Sequence, residues 1–151
     1  MASRRRAREF ALQALYTSDL AELPLRRALA DLWASQLDGG VTSRPAESQE
    51  IEFSQDICAG VEARSAEVDQ LIEGASANWR LPRMPVVDRN ILRLATWEIL
   101  ASPEVPVSVS INEAVELAKR FGDKDSRAFI NGILDRVAAD TGRGGRKHAR
   151  K

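Results

Sequence analysis

One histidine and one cysteine are all that this 151-residue chain offers to the chemistries that depend on them. His148 lies near the C-terminus, far in sequence from Cys58. The chain therefore encodes no Cys–His nucleophile, no histidine general base and no His/Cys metal cluster. A lone Cys58 also excludes an internal disulfide and suits a reducing compartment. No apolar run approaches the ~18 residues that a membrane-spanning helix needs. The basic N-terminus is not followed by the apolar stretch of a secretory signal, so the expectation is a cytoplasmic protein. No glycine-rich phosphate loop follows a strand, since Gly142, Gly144 and Gly145 lie near the C-terminus. Two carboxylate pairs are present: Glu113 and Glu116 on one helix face, and Asp123 and Asp125 in one turn. Helix capping and solvation explain both. The expectation is a protein without catalytic residues, metal or cofactor.

What the chain does have is segregated charge. Its 22 basic and 22 acidic residues cancel, but the first eight residues hold four arginines and no acid, and residues 143–151 hold five Lys or Arg and no acid. The body between them is strongly acidic. Polyanion binding follows local field rather than net charge, and an acidic body confines it to a defined patch.

Helical periodicity accounts for almost the whole chain. Over residues 4–18, Ala7, Phe10, Ala11, Ala14 and Leu15 form one buried stripe. Arg5, Arg8, Leu12 and Tyr16 fall on a second ridge, away from it. A second helix runs from Pro24 with Leu25, Ala28, Leu29, Leu32, Trp33 and Leu37 apolar, and Gly39-Gly40 stops it. Residues 38–49 read as the one clear loop. A third helix carries Phe53, Ile57 and Val61, with Gly60 permitting a close helix approach. Ser65 caps a fourth, with Val68, Leu71, Ile72 and Ala75. Pro82 and Pro85 break the pattern, and residues 86–100 form a helix apolar over so wide an arc that it belongs in the core.

Val105 to Val109 reads as an extended link. Ser110-Ile-Asn-Glu113 is a capping box that starts the next helix, whose Ala114, Val115, Ala118 and Phe121 pack inward. Gly122 is placed to end it in a left-handed conformation. Asp125 or Ser126 caps the last helix, with Phe129, Ile130, Ile133, Leu134 and Val137 inward. Gly132 in its interior calls for a compensating close contact. From Thr141 onward the chain reads as a mobile basic tail. Seven helical segments and no credible sheet make the fold all-α.

The Arg4–Arg8 cluster admits two readings. It is either a solvated helix end or a grip for phosphates, with Tyr16 as a stacking surface on the same ridge. Cations at a helix N-terminus oppose the dipole at ~0.3–1 kcal/mol each, so stability alone does not select them.

Four blocks then carry a resemblance. Arg4-Arg-Arg-Ala-Arg-Glu-Phe-Ala-Leu-Gln-Ala-Leu-Tyr16 resembles the opening of the bacterial transcription antitermination factor NusB family. Asp88-Arg-Asn-Ile-Leu-Arg-Leu-Ala-Thr-Trp-Glu-Ile-Leu100 continues the likeness. Val109-Ser-Ile-Asn-Glu-Ala-Val-Glu-Leu-Ala-Lys-Arg-Phe-Gly122 and Asp125-Ser-Arg-Ala-Phe-Ile-Asn-Gly-Ile-Leu-Asp135 complete it. The blocks stand in the family's order at both ends of residues 4–137, and the middle is looser.

The resemblance implies two roughly perpendicular three-helix bundles sharing a core. It divides residues 1–140, a single domain, at about 4–75 and 84–140, with 141–151 as the tail. It further implies binding of single-stranded boxA RNA jointly with the ribosomal protein NusE. That complex joins elongating RNA polymerase and suppresses premature termination, notably in ribosomal RNA transcription. Arg4, Arg5, Arg6, Arg8 and Tyr16 would contact RNA, as would Arg127 and Phe129, with Asp125 shaping the site. Phe129 reads equally as core by its helical phase. Asp88 matches a position at the NusE interface, or simply suits its helix's dipole. Two rival readings accompany this one. The first is kinship to the RNA-binding part of a ribosomal RNA cytosine methyltransferase, whose catalytic domain is expected to be missing after residue 151. The second is a homodimerising module that does not read RNA.

Overall fold

The computed structural model describes residues 2–37, 45–77 and 79–143. The loop residues 38–44, with the Gly39-Gly40 stop, and the tail residues 144–151 lie outside the described residues. Seven α-helices follow one another: α1 (Arg4–Ala21), α2 (Leu25–Leu37), α3 (Ser48–Ala63), α4 (Ser65–Ala75), α5 (Val86–Ala101), α6 (Val107–Phe121) and α7 (Ser126–Asp140). A single 3-10 turn, Leu81–Arg83, precedes α5. No strand occurs among the described residues, and the fold is all-α.

The apolar periodicities become the core. All five stripe residues of α1 are buried, and Ser3 caps that helix by accepting a hydrogen bond from the Arg6 amide at 3.1 Å. Helix α5 is the hub, packing on α1, α3, α4, α6 and α7. Its Ile91, Leu92, Leu94 and Ile99 are fully enclosed, each such side chain stabilising the fold by roughly 1.5–3 kcal/mol. Helix α1 packs on α2, α3 and α5, whereas α4 lies chiefly against α5 and α7.

Local details depart from the sequence reading in five places. Helix α6 begins at Val107, not at Ser110, and the segment read as an extended link supplies its first turn. Pro106 at the cap position has φ −57°, already suited to a helix, and Val107 is buried. Proline's missing N–H costs nothing there, so Ser110 and Glu113 are free for other partners. Gly122 is extended (φ −93°, ψ −172°) rather than left-handed. Its smallness is needed because a Cβ would lie 2.5 Å from Ser126 Oγ. Ser65 and Ser126 are first residues of their helices; Arg64 and Asp125 hold the cap positions, and neither makes a side-chain capping hydrogen bond. Gly132 meets nothing within 4 Å and compensates no close contact, whereas a Cβ on Gly60 would strike the Trp97 ring.

The fifth departure concerns Arg143, which is docked rather than part of a free tail. Its guanidinium donates to the Ile99 carbonyl at 2.7 Å and the Val105 carbonyl at 3.1 Å. It thereby satisfies carbonyls at and beyond the C-terminus of α5, where a cation suits the dipole.

Candidate nucleic-acid interface

The four arginines at the head of α1 point in different directions. Arg4 is exposed, its guanidinium 4.6 Å from the centre of the Phe53 ring. It lines a cleft of about 210 Å³ with Phe53, Asp56, Trp97, Glu104 and Val105. Arg6 turns toward α3, donating to the buried carboxylate of Glu50 at 3.2 Å and to the Pro45 carbonyl at 3.1 Å. Arg5 faces outward and grips Glu113 of α6 with Nε and Nη2 at 3.0 and 2.9 Å. That carboxylate, hydrogen-bonded by Arg5, is held below its ordinary range.

Arg8 and Leu12 are buried, which corrects their placement on an exposed ridge. Helix α5 covers that side of α1. Arg8 forms a forked pair with Glu98 at 2.9 and 2.6 Å, and Ser110 donates to the same carboxylate at 3.1 Å. The ridge open to solvent instead runs Arg5, Glu9, Gln13 and Tyr16.

The last turn of α6 continues that ridge. Arg120 reaches back to Glu9 at 2.6 Å and stacks over its neighbour Phe121 at 5.3 Å. Phe121, expected in the core, is 36% exposed. A depression of about 310 Å³ is lined by Arg5, Glu9, Glu113, Glu116, Lys119 and Arg120. A neighbouring one of about 280 Å³ is formed by Leu12, Gln13, Tyr16, Thr17, Val87 and Phe121. Lys119 and Arg120 were not picked out from the sequence as site residues, and Phe121 was read only as core. Two cations in a last helical turn read as matching the dipole, and only their position beside α1 reveals more.

The next residue of α5, Asp88, opens a third depression, shared with Trp79, Pro85, Asp123, Asp125 and Phe129. Asp88 is buried and accepts a hydrogen bond from Ser126 at 2.8 Å. Burial pushes its carboxyl above the ordinary range, the Ser126 bond opposes this, and the charge of Asp123 adds to it. The Asp123 amide donates to Ser126 Oγ at 3.0 Å and the Asp125 amide to Asp123 at 2.9 Å, fixing the turn. Phe129 is half-buried and meets the exposed Trp79 edge to face at 6.2 Å. Arg127 is exposed on the first turn of α7.

A single face thus runs from Arg5 past Arg120, Phe121 and Tyr16 to Phe129. At its Arg5 end the cations interleave with Glu9, Glu113 and Glu116, Tyr16 and Phe121 hold the middle, and Asp88, Asp123 and Asp125 stand at the other end. Arg4 and Arg6 flank its basic end; Arg8 supports it from inside. Among the described residues, no group of three or more His, Cys, Asp or Glu is placed to hold a metal ion, and no helix is long and apolar enough to cross a membrane.

The NusB family model matches residues 5–139. The chain belongs to the NusB family. The transcription antitermination protein NusB of Myxococcus xanthus is 46% identical over 138 residues, covering 91% of this chain and 96% of that one. Its counterpart in Geotalea uraniireducens is 47% identical over 139 residues, with coverage of 92% and 96%. Among solved structures, T. maritima NusB superposes with a TM-score of 0.80 at 34% identity, covering 93% of this chain and 94% of that one. The antitermination factor NusB solved with NusE and double-stranded RNA shares the fold, with a TM-score of 0.77 at 21% identity and coverage of 91% and 96%.

Proposed function

We propose that this protein is a non-enzymatic RNA-binding adaptor in transcription antitermination. In this reading it holds a boxA-type single-stranded RNA together with ribosomal protein NusE, and through other factors acts on elongating RNA polymerase during ribosomal RNA transcription. One observation carries the reading: the face on which Arg5 and Arg120 stand beside Tyr16, Phe121 and Phe129, in a chain of the NusB family. Guanidiniums neutralise phosphates while unstacked bases rest on aromatic rings, the combination by which single strands are bound. Arg4, Arg6 and Arg127 extend the basic contacts, and Asp125 bounds the groove beside Phe129. Asp88, held in its turn by Ser126, contributes to the NusE-facing surface through that turn's shape rather than through an open charge. Arg8 supports the site without touching RNA.

Fluorescence anisotropy with a labelled boxA-type RNA, with and without NusE, tests the reading. Affinity is expected to fall with salt, the log–log slope steepening by about 0.7 for each phosphate contact on a single strand. Replacing Arg4, Arg5 and Arg120 with Gln should abolish binding, with circular dichroism checking that the variant stays folded. Unchanged affinity in that folded variant would sink the proposed site. Light scattering in the same buffers separates this role from that of a homodimer indifferent to RNA.

A further inference from the structure

Five side chains form an alternating ladder from the core to the surface where α1, α5 and α6 meet. Ser110 donates to Glu98, and Glu98 accepts the fork of Arg8. Arg8 Nη1 stands 3.8 Å from Glu113 Oε1, and Glu113 in turn holds Arg5 through two donors. Exposure rises outward along the ladder. The Arg8 and Glu98 side chains are 9% and 7% exposed, Glu113 17% and Arg5 56%.

We infer that Glu113 is a positioning residue for RNA binding, fixing the Arg5 guanidinium so that its remaining N–H groups meet a phosphate, with the buried Arg8–Glu98 pair as its anchor. The inference rests on the RNA-binding reading above. A guanidinium has five N–H donors in a rigid fork. Glu113 engages Nε and one Nη2 proton, which leaves the outer edge of Arg5 for a ligand. An arginine at a helix start is otherwise free to sample many rotamers, and a phosphate would have to order it. Here the ordering is already done by residues of the fold.

The sign of one substitution separates this role from a merely electrostatic one. A carboxylate next to a phosphate site repels the ligand, so charge alone predicts that Glu113→Gln binds RNA more tightly. Positioning predicts weaker binding in spite of the lost negative charge.

The test uses the full chain and a fluorescein-labelled boxA-type RNA at several salt concentrations. Glu113→Gln is expected to weaken binding about 3–10-fold, in the range of a lost charge-assisted contact. It should also flatten the salt slope by about 0.7. In an Arg5→Ala background the same change should no longer weaken binding, because the two residues act as one unit. A folded Glu113→Gln protein that binds as tightly as wild type or more tightly overturns the inference, as does an undiminished effect in the Arg5→Ala background. Failure of wild type to bind RNA overturns the functional reading as well, which keeps the two failures apart. A measurement on the unaltered protein covers the case of an unstable variant: the Arg5 Nε–Hε resonance. A sharp, exchange-protected signal that shifts on RNA addition supports positioning. A signal averaged with those of free arginines refutes it.

Discussion

Arg8 shows that a charge inside a basic run need not serve the surface. Its partner Glu98 is 90 positions away, so no local pattern reveals the pairing. The helical phase put Arg8 outside, and only the packing of α5 on α1 puts it inside. Removing it leaves an unpaired carboxylate in the core, which typically costs ~3–5 kcal/mol. Arg8→Ala should therefore lose most of its stability in urea titrations followed by circular dichroism. Replacing Arg8 and Glu98 together with Met and Leu should cost much less. Cys58 is a different case, since its isolation in the sequence excluded an internal disulfide and left its role to the packing. It is fully buried against the Ala11 carbonyl, and burial pushes its thiol up to about 12. A thiol-reactive dye at pH 8 should label it only after denaturant is added; rapid labelling of the native protein would contradict the packing described.

At the scale of helices, the sequence was legible wherever apolar spacing is strict. The cores of all seven helices follow from periodicities of 3.6. What was not legible was how helices begin and end, because capping signals compete. The Ser110–Glu113 box satisfies the pattern of a helix start, yet Pro106 and the buried Val107 start the helix a turn earlier.

Two of the glycines inside helices, Gly60 and Gly132, should behave oppositely. Gly60→Ala drives a methyl group into the Trp97 ring and should destabilise by about 1–3 kcal/mol. Gly132→Ala, exposed and with open space around it, should stabilise by roughly 0.5–1 kcal/mol through helix propensity. Thermal midpoints of the two variants check both signs.

For the molecule as a whole, electrostatics sets the response to acid. Asp19 accepts from Arg89, Asn90 and Arg93, and the Arg89 bond above all holds its carboxyl below the ordinary value of 3.8. Glu113 is lowered likewise by Arg5. Groups depressed by folding contribute stability that is complete above their unfolded values and is lost as pH falls through the folded ones. Stability should therefore drop on acidification below about pH 4, and Asp19→Asn should flatten that drop. Asp88 runs the other way. Its raised carboxyl favours the fold below its unfolded value of 3.8 and ceases to do so as pH rises through the folded one. Asp88→Asn should thus be more stable than wild type at pH 7 and lose that advantage near pH 3.5, as read from urea midpoints at the two values.

The two outer parts of the candidate site were legible at this scale too, through the motif blocks at Arg4–Tyr16 and Asp125–Phe129. Their junction was not, because Arg120 and Phe121 join the face only through the packing of the helices around α5.

One consequence follows from the docking of Arg143. Its guanidinium closes on the Val105 carbonyl, and Val105 shares a cleft wall with Arg4. Side chains from the entrance to the first helix and from the exit of the last therefore both reach the neighbourhood of Val105. Such proximity is what a circular permutation exploits. Joining residue 143 to residue 3 through a short glycine–serine bridge and opening the chain between α2 and α3 should preserve the fold. It would also show whether the order in which the helices are synthesised matters to how they assemble.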